Sequence, residues 1–418
     1  MRLLLRLAAL MLLCGYARAE NDTSIEHDVE LYLANVESFS DAPQPAAFFK
    51  DGVVLRTPDG RSMLRIRARM LQDFYEVKSD DFEGQMTDGG AYMRQARLGV
   101  VGYAHERLLY MLEYEFRNGE ARTFDVFLGL DDIGPLGRVI VGHQREPWGL
   151  DGTTPLPFIA LLERAPSTRA FALGRSLGIR FQEMYWQGRL TWWAGVFRDT
   201  DRFARPRGEG GHAFTAKITG LPIRTREDRM LHVEFSFTLR NPPDGKTFFT
   251  ARHAQANGPR IVGTGDIAAK HDTRFAFASA LRIDSFVLQA EGYIARVSGA
   301  GTQATFYGVY VLASYWITGE VRRWSNRHAV WGRTNPLRNF HDGADGPGAW
   351  MVALRYDHLD LTDGGVVGGV LDSVTLGVTW MWSPNARVKL NFVYADVEDG
   401  PQGTGTIFNS VLRFQFDF

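Results

Sequence analysis

The sequence predicts an all-β fold, a transmembrane antiparallel β-barrel of about sixteen strands with an inward-folded constriction loop. Segments throughout the chain alternate apolar and polar residues at period two, which gives each an apolar face and a wet face. They run close to the length of about 9–11 residues that a tilted strand needs to cross a bilayer. Strands of soluble sheets usually stop at about five or six. The alternation continues to the last residue, with Leu412, Phe414, Phe416 and Phe418 set against Arg413, Gln415 and Asp417.

The chain opens with Met1-Arg2, an apolar run over 3–13 interrupted by Arg6, and Ala17-Arg18-Ala19. A charged start, a short apolar run and a small-residue site predict a secretory signal, residues 1–19, cut after Ala19. A lipoprotein signal at Cys14 would need a small residue where Leu13 stands. Without that segment no cysteine remains, so no disulfide is expected in an oxidising compartment. Loss of Arg2, Arg6 and Arg18 takes the formal charge from −1 to −4, which excludes the basic excess of a nucleic-acid binder. No later stretch reaches the roughly 18 uncharged apolar residues of a membrane-spanning helix.

Residues 20–60 are expected to form a periplasmic N-terminal segment, Pro-rich at 43–45, ending in a hairpin turned at Pro58-Asp59-Gly60. The barrel is expected over 61–418. Its alternating segments are 61–76, 91–104, 106–118, 122–132, 138–146, 174–186, 189–198, 211–220, 229–240, 273–282, 284–297, 304–318, 350–361, 373–383, 387–397 and 407–418. A weaker candidate, 247–253, is left inside a loop. Bacterial barrels join strands by short periplasmic turns and longer external loops. The short turns at His105, Gln187-Gly188, Ile283 and Pro384-Asn385 obey that parity, as do the long connections 77–90, 147–173, 199–210 and 241–272. The connections 221–228 and 319–348 break it. Tyr110, Tyr114, Trp192, Trp350, Tyr356, Trp380, Trp382 and Tyr394 lie near segment ends, as an interfacial aromatic girdle would.

In the first segment Leu64, Ile66, Ala68 and Met70 share one face and Arg65, Arg67 and Arg69 the other. Guanidiniums facing lipid near the midplane would cost about 2–4 kcal/mol each, so this ladder must face the lumen. The same phasing turns Arg97, Lys217, Arg355, Arg387, Lys389 and Arg413 inward, together with Asp73, Glu113, Glu115, Glu291 and Asp357. The connection after the fifth segment carries Arg164 and Arg169, with Arg145 just before it, and has an apolar middle over 158–162. An apolar loop needs shelter, and a wide barrel offers it only in the lumen, where the loop would narrow the pore. The candidate anion-binding residues are therefore Arg65, Arg67, Arg69, Arg97, Arg145, Arg164 and Arg169, with pairing to carboxylates on adjacent strands as the structural alternative.

Enzyme-like patterns fail. Gly174-Arg175-Ser176-Leu177-Gly178 has the spacing of a nucleophile elbow, but that motif needs a helix next and a strand pattern follows. The histidines are scattered, and His341-Asp342 with Asp345 reads as a polar loop. No catalytic residue, metal or cofactor is assigned.

Residues 310–322, YVLASYWITGEVR, resemble the phosphate-selective porins O and P of Gram-negative outer membranes. The resemblance continues through Gly348-Ala349-Trp350, Leu354-Arg355-Tyr356, Leu359-Asp360-Leu361, 375–378, Asn385 with Arg387, and Arg413-Phe414-Gln415. Upstream, 94–100 (RQARLGV), 142–150 (GHQREPWGL) and, less closely, 63–69 also match. The resemblance implies a sixteen-stranded barrel, usually trimeric, passing phosphate or related anions through an arginine-lined pore narrowed by an inward loop. Only Lys217, Lys270 and Lys389 lie near strands, so the family's periplasmic lysine cluster has few counterparts here.

The expectation is an outer-membrane porin, not an enzyme, for facilitated diffusion of small anions such as phosphate or polyphosphate. It would be exported by its signal, embedded in outer-membrane lipid, assembled as a homotrimer, and recognised by the barrel-assembly machinery through Phe418. Two rival classes are a non-selective or non-transporting structural or adhesive barrel, and an outer-membrane hydrolase.

Overall fold

The computed structural model describes residues 47–49, 52–80, 88–225, 228–253, 256–299, 301–341 and 346–418. The expected signal peptide, residues 20–46, and Asp342 and Asp345 lie outside them. Sixteen long strands follow one another: β1 (Met63–Asp80), β2 (Gly89–Ala104), β3 (Leu108–Glu115), β4 (Arg122–Leu130), β5 (Arg138–Arg145), β6 (Arg175–Tyr185), β7 (Leu190–Asp199) and β8 (His212–Thr225). The second half comprises β9 (Arg229–Asn241), β10 (His271–Ile283), β11 (Phe286–Gly299), β12 (Thr302–Trp316), β13 (Ala349–Asp363), β14 (Val366–Met381), β15 (Ala386–Gly400) and β16 (Gly403–Asp417). Each expected segment coincides with one of these strands. Every neighbouring pair is antiparallel, and β16 returns to pair with β1, Leu412 opposite Phe74, so the sheet closes on itself.

The burial pattern is inside-out for a soluble protein. Leu98, Leu128, Val141, Val196, Phe277, Leu354, Phe414 and Phe416 are exposed, while Asp73, Glu113, Lys217, Glu291, Asp357 and Arg413 are buried. The two sets alternate along each strand, so the outer surface is apolar and the inner face polar. Only a surrounding apolar phase makes that arrangement favourable. Ser176 lies in strand β6 and its hydroxyl donates to Glu146 at 2.8 Å, a structural bond in place of an elbow.

Short turns follow from left-handed residues. Trp186 and Gln187 both have positive φ, 53° and 54°, as a two-residue turn between twisted strands requires. At the same end, Thr57–Ser62 turns the expected hairpin, with Val53–Arg56 paired to β1 along Val53↔Ile66 and Arg56↔Met63. A further short strand, Ala47–Phe49, pairs with it. These two strands occupy the edge of β1 below the level at which β16 ends. There Phe418 and Ala68 exchange two backbone bonds of 3.0 Å, and the Phe418 ring lies 5.8 Å from Phe49.

The connection 317–348 emerges at that same short-turn end, which is why it breaks the parity. It folds back to touch the buried faces of many strands. Asn326 accepts from Thr191 at 3.2 Å, Trp324 packs on His232 at 4.6 Å, and the Trp331 indole donates to Gln289 at 2.6 Å. The 242–270 connection carries two two-residue ladders, through Lys246-Thr247 and Thr250-Ala251 of the candidate region, and sets Phe249 against Phe171 and Phe306.

Deleting Phe418 removes both seam bonds and the Phe49 contact. The folded, heat-modifiable form should fall several-fold in outer-membrane fractions while secretion is unchanged. An unaltered folded fraction on semi-native gels would contradict this role for the terminal residue.

Candidate functional site

The connection 146–174 begins with a short helix α1 (Leu150–Thr153) and ends with α2 (Pro166–Ala170). Between them a 3-10 turn, Leu156–Phe158, leads into 159–163, which has neither helix nor strand. Buried backbone without secondary structure must find partners elsewhere. Here they are cationic side chains on the buried face of the last strands. Arg387 donates to the Pro157 carbonyl at 3.2 Å, Lys389 to Ile159 at 2.7 Å, Arg413 to Leu162 at 2.6 Å and Arg355 to Glu163 at 2.9 Å. Arg322, from the 317–348 connection, donates to Phe158 at 2.8 Å.

Carboxylates on the wall hold the two helices by their first amides. Glu291 accepts from Leu150 at 3.0 Å and Asp151 at 2.6 Å, and Asp357 from the Ser167 amide at 3.2 Å and its hydroxyl at 2.9 Å. Gly149 precedes α1 with φ 65°, and a Cβ there would come within 2.9 Å of the Glu291 carboxylate, so the close approach requires glycine. Glu163 ties the far end of the stretch to Arg94 at 2.5 Å, Arg413 at 2.7 Å and Arg169 at 3.3 Å. Burial pushes the Glu163 carboxyl up, but Arg94, Arg169 and Arg413 outweigh it and hold it well below the usual range.

The loop thus occupies the side of the barrel bounded by β10–β16. A smaller cavity remains on the loop side, beside Phe158, Trp316, Met351, Thr379 and Lys389, and two larger ones lie along the other wall. One cavity, about 520 Å³, is lined by Arg145, Pro147, Thr153, Pro155, Arg180, Trp193, Lys217, His328 and Val330. A second, about 480 Å³, shares Arg145, Arg180 and His328 and extends over Arg138, Asp125, Ile140, Phe127, Leu109 and Val101. Arg145 donates to the Gly152 carbonyl, and Lys217 pairs with Glu234 at 2.8 Å. Residues 64–418 match the family described as phosphate-selective porin O and P. The chain belongs to that family. This porin is 22% identical to Porin O of Pseudomonas aeruginosa over 421 residues, 88% of this chain and 91% of that one. It is 30% identical over 321 residues to an uncharacterized protein of Caulobacter vibrioides, covering 74% of this chain but only 63% of that protein's length. Among solved structures, an anion-selective porin from Comamonas acidovorans superposes with a TM-score of 0.57 at 13% identity, over 85% of this chain and all of that one.

The expected site residues separate into groups in this porin. Arg65, Arg67 and Arg69 are buried on the inner face of β1, and Arg67 lies 3.7 Å from Glu113. Arg97 pairs with Glu115 at 2.8 Å and Glu113 at 3.4 Å, and stacks on the Phe124 ring, whose other guanidinium neighbour is Arg175. Arg164 donates to the Asp151 carbonyl at 2.7 Å and Thr154 at 2.6 Å, within its own loop. Arg169 meets Glu163. Of the seven, only Arg145 lines the two cavities, beside Arg180.

Arg94, Glu163 and His328 escaped the sequence reading. Arg94 sits at a β-bulge, where Leu71 pairs with Gln95 and Gln72 with Met93, so counting by twos misplaces it. His328 comes from the 317–348 connection, where Trp324 and the 329–331 run were signals of burial.

Glu163 is stabilised in its ionised form, so its contribution is complete above the unfolded carboxyl value, about 4.3, and is lost only as pH falls through its depressed folded value. Open-channel current noise should therefore stay constant from pH 7 to pH 5. Glu163→Gln, which takes the carboxylate from Arg94 and Arg169 at a cost of about 3–5 kcal/mol, should raise that noise at pH 7 and speed trypsin cleavage after Arg164 or Arg169. Wild-type noise rising by pH 5, or a quiet variant, would contradict the clamp.

Proposed function

We propose that this chain is an outer-membrane channel passing small anions by facilitated diffusion, along an off-centre path between the clamped loop and the β3–β8 wall. The observation that carries the reading is the larger cavity, whose lining includes Arg145, Arg180 and Lys217 and, among the described residues, no carboxylate. Family membership and an anion-selective porin of the same fold support it. Loop 146–174 acts as the constriction, and the 317–348 connection narrows the path from the periplasmic end. Export through the N-terminal segment, assembly through Phe418 and a trimeric state belong to the same reading.

Guanidiniums replace lost hydration with charge-assisted, often bidentate bonds to an oxyanion. One such pair at 4 Å is worth about 4 kcal/mol at an effective dielectric of about 20, before desolvation is subtracted. Arg65, Arg67, Arg69 and Arg97 act at longer range, contributing potential through a screening length of about 8–10 Å while the carboxylates beside them offset part of it. Arg164 and Arg169 serve by fixing the loop.

A reversal potential in a KCl gradient across a planar bilayer tests this. At low salt the wild type should prefer chloride, and the Arg145→Gln, Arg180→Gln double variant should lose that preference several-fold or invert it. A double variant with full anion preference would overturn the path assignment.

A further inference from the structure

The wall around Arg145 and Arg180 sets apolar side chains directly beside its cations. Val101, Leu109 and Ile140 are buried inward-facing residues of β2, β3 and β5 that line the second cavity with Phe127. The larger cavity sets Trp193, Pro147, Pro155 and Val330 beside the cations, and the Lys217 ammonium lies 5.2 Å from the centre of the Trp193 ring. A small inorganic oxyanion would meet the guanidiniums here but would trade hydration for hydrocarbon where Trp193, Pro147, Pro155 and Val330 line the space, which is unfavourable. An anion with an apolar body gains on both counts. Apolar side chains set beside a few convergent polar groups are the usual form of a small-molecule site.

We propose that the path is shaped for an organic carboxylate with a flat apolar body. Its carboxylate lies between Arg145 and Arg180, and its ring lies against Trp193 and Val330. The assignment rests on the anion-channel reading above and narrows its solute class. Trp193 is then a specificity-determining residue, and Val330, carried by the 317–348 connection, closes the opposite side of the same slot.

The test uses the full chain in planar bilayers. The sign of the reversal potential in KCl first reports on the anion reading alone, and a channel without anion preference would overturn both proposals. Chloride current is then measured with added benzoate, acetate or inorganic phosphate. Benzoate should reach half-block at a concentration at least about tenfold below either of the others. Trp193→Ala should bring benzoate close to acetate, Trp193→Phe should preserve the difference, and Arg145→Gln should weaken block by all three. Heat-modifiability on gels verifies that each variant is folded, and Trp193→Phe provides the comparison if Trp193→Ala is not. An anion-preferring channel blocked equally or better by phosphate would overturn the solute class while leaving the porin reading intact. Benzoate block that ignores both Trp193 substitutions would overturn the slot.

Discussion

The hydrogen bonds from Arg355, Arg387, Lys389 and Arg413 to the carbonyls of 157–163 are the interaction on which the rest of the structure depends. A buried irregular backbone leaves acceptors unsatisfied at about 1–3 kcal/mol each. A buried row of cations without acceptors costs several kcal/mol per ion. Each answers the other's need, and neither could stay where it is alone. Arg413 joins the two systems, pairing with Asp73 across the closing seam at 2.6 Å while it holds the Leu162 carbonyl and Glu163. The seam and the loop are therefore stabilised together.

Because the loop is fixed to one wall, its apolar side chains fill that side of the barrel. Leu161 and Phe171 pack with Phe249, Tyr293, Phe306 and Tyr310 in one buried cluster, and Leu162 packs with Val393 and Val411. The wall cations of β13, β15 and β16 donate to loop backbone. On the opposite side Arg145, Arg180 and Lys217 also donate to backbone carbonyls, of Gly152, Arg145 and Gly149, and line the larger cavity. The 317–348 connection reaches the same region from below and meets the loop at Phe158, with the Arg333 guanidinium 5.3 Å from its ring.

Alternation alone identified the strands and their phase, because lipid outside and polar groups inside impose a period-two signal on every spanning segment. Asp73 and Arg413, 340 residues apart, were both turned inward by that rule and are found in contact. What the rule cannot reveal is the partner each inward charge takes. Carbonyl acceptors have no side-chain signature, so nothing in the sequence tied Arg387 and Lys389 to the loop backbone. Arg164 and Arg169 were expected to hang in the pore for the same reason. Bulges and long connections were also invisible: Arg94 came inward through an extra residue, and the parity break at 319–348 was noted without its consequence, a segment folded back onto the wall.

Single cysteines placed on the inner face, in a Cys14→Ser background, distinguish a clamped loop from a free one most directly. With the loop held against β13–β16, a charged thiol reagent should modify cysteines at Arg145 and Arg180 quickly and change the single-channel current. It should leave cysteines at Val393 and Val411 unmodified on the same timescale. Equal reactivity on both walls would mean that the loop does not occupy its side of the lumen, and the account would fail.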